Sequence, residues 1–201
     1  MKEELFDFLS KYMELSEAEK QVLTEFDLFH CYKKGNVLLQ EGERSNKSYF
    51  VMKGCLRTYF IINGEEKTTE FYTELAPLMP LCTVQEKPSE YYIDCVEDSI
   101  VLVGTTDMEK EVFERFPRFE TLCRLLSEDL LAQNLDSFHA YKNASATERY
   151  FKLVKERPGL VQRVPQYQIA SYLGIKPESL SRIRKREAAR KALSIHPSQL
   201  S

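Results

Sequence analysis

Residues 166–183 run Gln166-Tyr167-Gln168-Ile169-Ala170-Ser171-Tyr172-Leu173-Gly174-Ile175-Lys176-Pro177-Glu178-Ser179-Leu180-Ser181-Arg182-Ile183. The spacing is that of two helices joined by a tight turn. Ala170 is small where the helices would cross, and Gly174, four residues later, can take the left-handed conformation that ends the first one. Ile175 and Leu180 are placed to fill the space between them, and Pro177 suits the first position of the second helix. Lys176 is a weak N-cap, so that helix starts without a strong side-chain stop. At 100° per residue, Glu178, Arg182 and Lys185 fall within about 60° of one another, flanked by Ser181. Leu180, Ile183 and the apolar stem of Arg184 fall opposite. One face therefore packs, and the other offers hydrogen-bonding groups of the kind that read a major groove. Arg can grip guanine O6 and N7 and Glu can accept from cytosine N4, each worth about 1–3 kcal/mol of discrimination. Arg184, Arg186, Arg190 and Lys191 are better placed for phosphates, where affinity is salt-sensitive and carries no sequence choice. The bland alternative is a solvated helix with a Glu178–Arg182 i,i+4 pair, worth a few tenths of a kcal/mol.

Charge separates along the chain in the same sense. The 201 residues carry a net charge of −3. From Lys142 onward, 13 Lys/Arg face only 4 Asp/Glu, whereas the preceding part holds 15 against 27. An excess of nine positive charges at one end, on an acidic partner, fits a nucleic-acid-facing unit. With 43% hydrophobic and 29% charged residues, the chain can build a core and is not a disordered tail. The longest apolar runs, Tyr59 to Ile62 and Ile100 to Val103, fall far short of the ~18 residues that span a bilayer. Lys2, Glu3 and Glu4 precede an amphipathic pattern instead of an apolar block, so no secretory signal is read and a soluble cytoplasmic protein is expected. The five cysteines, at 31, 55, 82, 95 and 123, are odd in number and scattered, with no metal-ligand spacing. They are expected to be reduced, buried thiols.

Working back from residue 166, Ser145-Ala146-Thr147-Glu148 is a capping box opening a helix through Tyr150, Leu153 and Val154, which stops before Pro158-Gly159. Lys142-Asn143-Ala144 is the expected hinge. From Pro117 to about Tyr141 a long helix of about 25 residues, roughly 37 Å, carries two apolar stripes. Phe119, Leu122, Leu126 and Leu130 form one; Leu131, Leu135 and Phe138 form the other. Two stripes need two partners, one the chain's own sheets and one a second copy of the chain. Between Phe29 and Val103 short β-type runs alternate with turns. Val37–Leu39, Tyr49–Met52, Leu56–Ile62, Lys67–Tyr72, Tyr91–Val96 and Ser99–Val103 are the expected strands, a pattern of barrels and jelly rolls. Asn63-Gly64 predicts a type I′ hairpin between the third and fourth. At the start, Leu5, Leu9 and Tyr12 mark one short helix, and the capping box Ser16-Glu17-Ala18-Glu19 opens another with Val22, Leu23 and Phe26 inward.

These features together resemble the Crp/Fnr family of bacterial transcription regulators. Pro177-Glu178-Ser179-Leu180-Ser181-Arg182 is similar to the family's recognition-helix motif, where a Glu and an Arg four residues later read bases. Those roles fall on Glu178 and Arg182; Pro177 stands where the family often has a further Arg. Lys34-Gly35, Gly42, Tyr49-Phe50-Val51, Gly54, Leu56-Arg57 and Gly64 resemble the opening of its cyclic-nucleotide-binding β-roll. The resemblance implies an α+β chain: a jelly-roll-like sensor β-roll over 1–116, a long dimerisation helix over 117–142, and a C-terminal winged helix-turn-helix over 143–201. It implies a homodimer on a near-palindromic site in double-stranded DNA, with RNA polymerase and a small-molecule effector as further partners. Glu178, Ser179, Ser181, Arg182, Arg184, Lys185 and Arg186 are then the DNA-facing set.

The family's cyclic-nucleotide binders hold the phosphate with a Gly-Glu pair and an Arg in one short cassette. Glu74 answers to that Glu, but Thr73 replaces the Gly, and no arginine lies between Arg57 and Arg115. Ser89 sits near the place of the Arg, with Glu86 and Glu90 beside it. A phosphate in a partly dry pocket without Arg would be unfavourable, so cyclic AMP is not the expected effector. Glu74, Ser89, Tyr91 and Tyr92 define the candidate effector pocket, which with Leu78 and Met79 would suit an apolar or aromatic ligand or be packed shut. No metal or other cofactor is expected: only Cys31 lies in the first fifty residues, and His30, His139 and His196 show no pairing. Only Pro158 to Val164 separates the neighbouring helices, leaving little room for a wing hairpin there. A metalloenzyme on the β-roll would need clustered histidines, and Val37 to Val103 contains none. The remaining alternative to a DNA-binding regulator is one that works through protein contacts alone.

Overall fold

The computed structural model describes residues 2–194, with side chains described as far as Glu187. Its centre grows from the hairpin marked by Asn63-Gly64. These two residues take φ of 54° and 78°, the left-handed values a type I′ turn requires. They join β4 (Leu56–Ile62) to β5 (Glu65–Tyr72). Together with β2 (Val37–Leu39) and β7 (Tyr92–Cys95) these strands form a sheet in the order β2-β7-β4-β5. A second sheet, β1-β8-β3-β6, is built from β1 (Phe29–Tyr32), β3 (Lys47–Lys53), β6 (Pro77–Leu78) and β8 (Ser99–Thr105). All pairings are antiparallel. Alternate residues Leu39, Tyr49, Val51, Leu56, Ile93, Val101 and Val103 meet between the sheets and fill the roll. A five-residue helix, α3 (Leu81–Gln85), closes one end through Cys82.

Both outer faces of the roll are covered. On one side α1 (Lys2–Ser10) and α2 (Glu17–Glu25) set Leu5, Leu9 and Val22 against Phe50 and Met52 of β3. The Ser16–Glu19 capping box forms as expected. The same cluster takes in Val112 of α4 (Thr106–Arg115), and Phe119 and Leu122 of α5 (Arg118–Asn143). With 26 residues α5 is about 39 Å long. On the other side lie α6 (Ala146–Glu156), α7 (Pro158–Arg163) and α8 (Gln166–Tyr172), followed by α9 (Pro177–Ser194). Tyr150, Leu153, Leu160, Val164, Ile169, Leu173 and Leu180 bury against one another and against Cys55, Phe71 and Val96 of the roll.

The chain is therefore α+β, with an antiparallel β-roll, a long helix and C-terminal helices. Four details differ from expectation. Helical structure resumes at Thr106, eleven residues before Pro117, because Thr105 caps α4 by accepting from the Met108 N–H. The Pro158-Gly159 pair opens a helix of its own, with Pro158 at a first-turn position where its missing N–H costs nothing. Three short elements, β1, β6 and α3, were not anticipated. No strand follows Thr105 among the described residues, so the wing that the resemblance implies is not found there, in keeping with the short Pro158–Val164 spacing. Past Glu187 the last helix continues to Ser194; the side chains of Arg190 and Lys191, and His196, lie outside what is described.

Candidate nucleic-acid interface

The turn between α8 and α9 is a complete Schellman motif. The Ile175 N–H donates to the Ala170 carbonyl and the Gly174 N–H to the Ser171 carbonyl, each at 3.0 Å. Gly174 has φ of +68°. That left-handed value is what calls for glycine; a Cβ there would also sit 2.9 Å from the Tyr141 hydroxyl at the end of α5, which a small shift of that exposed side chain would relieve. Ile169 and Ala170 are buried, Leu180 is 1% exposed, and Ile183 packs beside them. That packing fixes the rotation of α9.

The opposite face is solvent-facing. Glu178, Ser181, Arg182, Arg184, Lys185 and Arg186 are exposed, and Ser179 is half-buried. Arg182 Nε donates to the Glu178 backbone carbonyl at 3.4 Å. The two side chains form no ion pair, and none is found for Arg184, Lys185 or Arg186 among the described residues. Among the described residues, an acid and four cations thus stand on one helix without an ion-pair partner.

The rest of the C-terminal unit is fastened to the roll by polar contacts that sequence reading did not anticipate. Arg163 donates to Glu74 through both Nη atoms, at 2.9 and 2.8 Å, to Glu97 through Nε at 2.9 Å, and to the Gly54 carbonyl at 2.8 Å. Arg157 donates to Glu70 at 2.9 Å and to the Phe71 carbonyl. The Ser171 hydroxyl accepts from the Thr68 N–H and donates to the Glu66 carbonyl, both at 2.9 Å, occupying two backbone groups on the open edge of β5. Burial alone would raise the Glu74 carboxyl, but the bonds from Arg163 and the Gly54 N–H outweigh it and hold the group below its ordinary value.

The expected effector residues are not gathered into one cavity. Glu74 serves Arg163. Ser89 is buried in backbone bonds: its N–H donates to Glu43, its carbonyl accepts from Gly42, and its hydroxyl donates to the Tyr91 carbonyl at 2.7 Å. The Tyr91 hydroxyl accepts from the Leu81 N–H, and Tyr92 stacks on Tyr59 at 5.1 Å between ring centres. Arg57 is 2% exposed and committed to Asp94 and Glu66. On α5, Phe119 and Leu122 are buried and Leu126 and Leu130 half-buried, whereas Leu131, Leu135 and Phe138 are 60%, 49% and 52% exposed.

This architecture has known counterparts. Residues 29–116 match the cyclic nucleotide-binding domain family. FixK2 from Bradyrhizobium japonicum is 16% identical, with a TM-score of 0.65 over 81% of this chain and 85% of that one. A CooA variant from Carboxydothermus hydrogenoformans is 20% identical, with a TM-score of 0.63 over 85% and 79%. CLP from Xanthomonas campestris, described as a c-di-GMP-responsive global regulator, is 12% identical, with a TM-score of 0.68 over 88% and 93%. At these identities the likeness is one of fold. No curated protein matches the sequence. Among the described residues no helix is long and apolar enough to cross a membrane.

Proposed function

We propose that this protein is a homodimeric, sequence-specific DNA-binding transcription regulator of the Crp/Fnr type. The observation that carries the reading is the exposed face of α9, where Glu178, Arg182 and Lys185 stand without ion-pair partners among the described residues, on a helix whose rotation is locked by Leu180 and the Gly174 turn. Within it, 1–116 is the sensor unit, 117–142 the dimerisation helix and 143–201 the helix-turn-helix unit. Leu131, Leu135 and Phe138 supply the second apolar stripe that a partner's α5 would cover. Two copies would set their α9 helices in successive major grooves about 34–36 Å apart. Cyclic AMP is not the effector in this reading, since the hydrogen bonds of Ser89 are spent within the chain and Arg57 is already held by two carboxylates.

Selection of bound fragments from genomic DNA, compared between the parent chain and Arg182→Ala, tests this. The parent should enrich a near-palindromic sequence. The variant should lose that preference, with each half-site discriminating by about 1–3 kcal/mol less, while keeping weak, salt-sensitive binding. An unchanged specificity ratio would remove Arg182 from its role, and failure of the parent to enrich any sequence would favour a regulator acting through protein contacts.

A further inference from the structure

A cleft of about 680 Å³ opens where the roll, the long helix and the C-terminal helices meet. Its walls are the β5–β6 connection, Leu126 and Leu130 of α5, Leu153 of α6 and Tyr172 of α8. The size is that of sites for small organic ligands. Its carboxylates are already engaged. Glu70 accepts from Arg157 and Tyr172, Glu74 from Arg163, Asp129 from the Tyr12 hydroxyl at 2.7 Å and from Gln133, and Glu156 faces the Lys152 ammonium at 3.9 Å. The cation at the wall is not. Arg149 lies with its guanidinium carbon 4.1 Å over the Tyr141 ring, and its Nε is buried without an acceptor among the described residues. A buried guanidinium N–H left unpaired is costly, and the ring face offers it no lone pair. Lys152, one turn along α6, has only Glu156 at 3.9 Å.

We propose that this cleft binds an organic anion with an apolar or aromatic body, its acidic group against Arg149 and its body against Leu126, Leu130 and Leu153. Such a ligand would touch the roll, α5 and the C-terminal helices at once. Its differential affinity for the docked arrangement would set how firmly they stay together. The site shares Glu74, Leu78 and Met79 with the pocket expected from sequence to hold an effector, but not Ser89, Tyr91 or Tyr92. Its test involves no DNA, so its failure and that of the proposed function are separable.

The experiment is calorimetry and thermal unfolding of the full chain at neutral pH with 1-naphthaleneacetate and its uncharged counterpart, 1-naphthaleneacetamide. The acid should bind saturably and raise Tm, at about 10- to 100-fold higher affinity than the amide. Arg149→Gln should bind both alike, and Arg149→Lys, which keeps the charge, should restore part of the preference. Val84→Glu, on the exposed side of α3 and away from the cleft, should leave the preference unchanged. Equal binding of acid and amide to the parent, no saturable binding of either, or a preference that survives in Arg149→Gln would each overturn the proposal. A preference lost in Val84→Glu would place the probe on the surface of α3 instead and overturn it as well.

Discussion

Two sets of arginines lie within thirty residues of each other in the C-terminal unit and do opposite things. Arg157 and Arg163 spend their guanidinium groups on Glu70, Glu74 and Glu97 of the roll. Arg182, Arg184 and Arg186 meet no carboxylate among the described residues. Identical side chains on one positively charged stretch thus divide between holding the molecule together and remaining available. The excess of nine positive charges is not one surface. A planar, five-donor group suits both tasks: it forks onto carboxylates inside the protein and onto phosphates or guanine edges outside it. Substitutions that separate stability from binding are the way to test the division.

The largest effect belongs to an arginine of the roll that is paired most completely. Arg57 is 2% exposed, forks onto Asp94 at 3.0 and 2.6 Å, bonds Glu66 at 2.7 Å, and lies 4.0 Å from the Tyr59 ring centre. Removing it leaves Asp94, itself largely buried, without its counter-charge. Arg57→Ala should cost about 3–5 kcal/mol in denaturant unfolding, and Arg57→Lys should recover little, since an ammonium cannot fork. A loss under about 1 kcal/mol would mean that the cluster is not a structural element.

Next comes Arg163, which is partly exposed, so its bonds are discounted for solvent screening. Arg163→Ala should weaken docking of the C-terminal unit by about 2 kcal/mol. The readout is the amide of Thr68, whose N–H is held by Ser171: its hydrogen-exchange protection should fall about 30-fold. Buried Phe71 still holds the unit apolarly by about 2–3 kcal/mol, so the fold should survive. The seam is also imperfect. Among the described residues, Thr68 Oγ1 and Gln168 Oε1 are buried without partners. Acid should open it too. The Glu74 carboxyl is depressed in the folded chain, so its contribution is present above the ordinary value of 4.5 and is lost as pH falls below that through the folded value. Arg163→Ala should abolish that part of the acid response. Protection at Thr68 that stays constant in both tests would show that the arginine does not hold the seam.

That seam marks the boundary of what the sequence discloses. Local patterns were legible: the Asn63-Gly64 hairpin, the Ser16 and Ser145 capping boxes, the length of α5 and the Gly174 turn all rest on residues within five positions of one another. So was the exposed face of α9, because helix periodicity alone separates Leu180 from Arg182. The Arg163–Glu74 and Ser171–Thr68 contacts join residues about ninety or more positions apart, and no periodicity encodes them. Glu74 looked like a ligand-binding acid because its neighbours in sequence resemble such a cassette, whereas its neighbours in space include an arginine of α7. Helix α4 was hidden for a different reason. Of its ten residues only Val112 is buried, too few to write a stripe.

The smallest effect separates the two sets most cleanly. Arg184 is exposed and makes no ion pair among the described residues, so Arg184→Ala should change unfolding stability by no more than about 0.5 kcal/mol and leave Thr68 protection unaltered. If it faces a phosphate, as its exposed place on α9 away from Glu178 and Arg182 suggests, binding to random-sequence duplex should weaken. The slope of log affinity against log salt should drop by about one. The ratio of specific to non-specific affinity should stay where it was, because a phosphate contact carries no base information. A stability loss like that of Arg163→Ala would place Arg184 among the fastening arginines. A changed specificity ratio with an unchanged salt slope would move it to the base-reading face, and the rotation assigned to α9 from Leu180 and Ile183 would then be wrong by about one residue, or 100°.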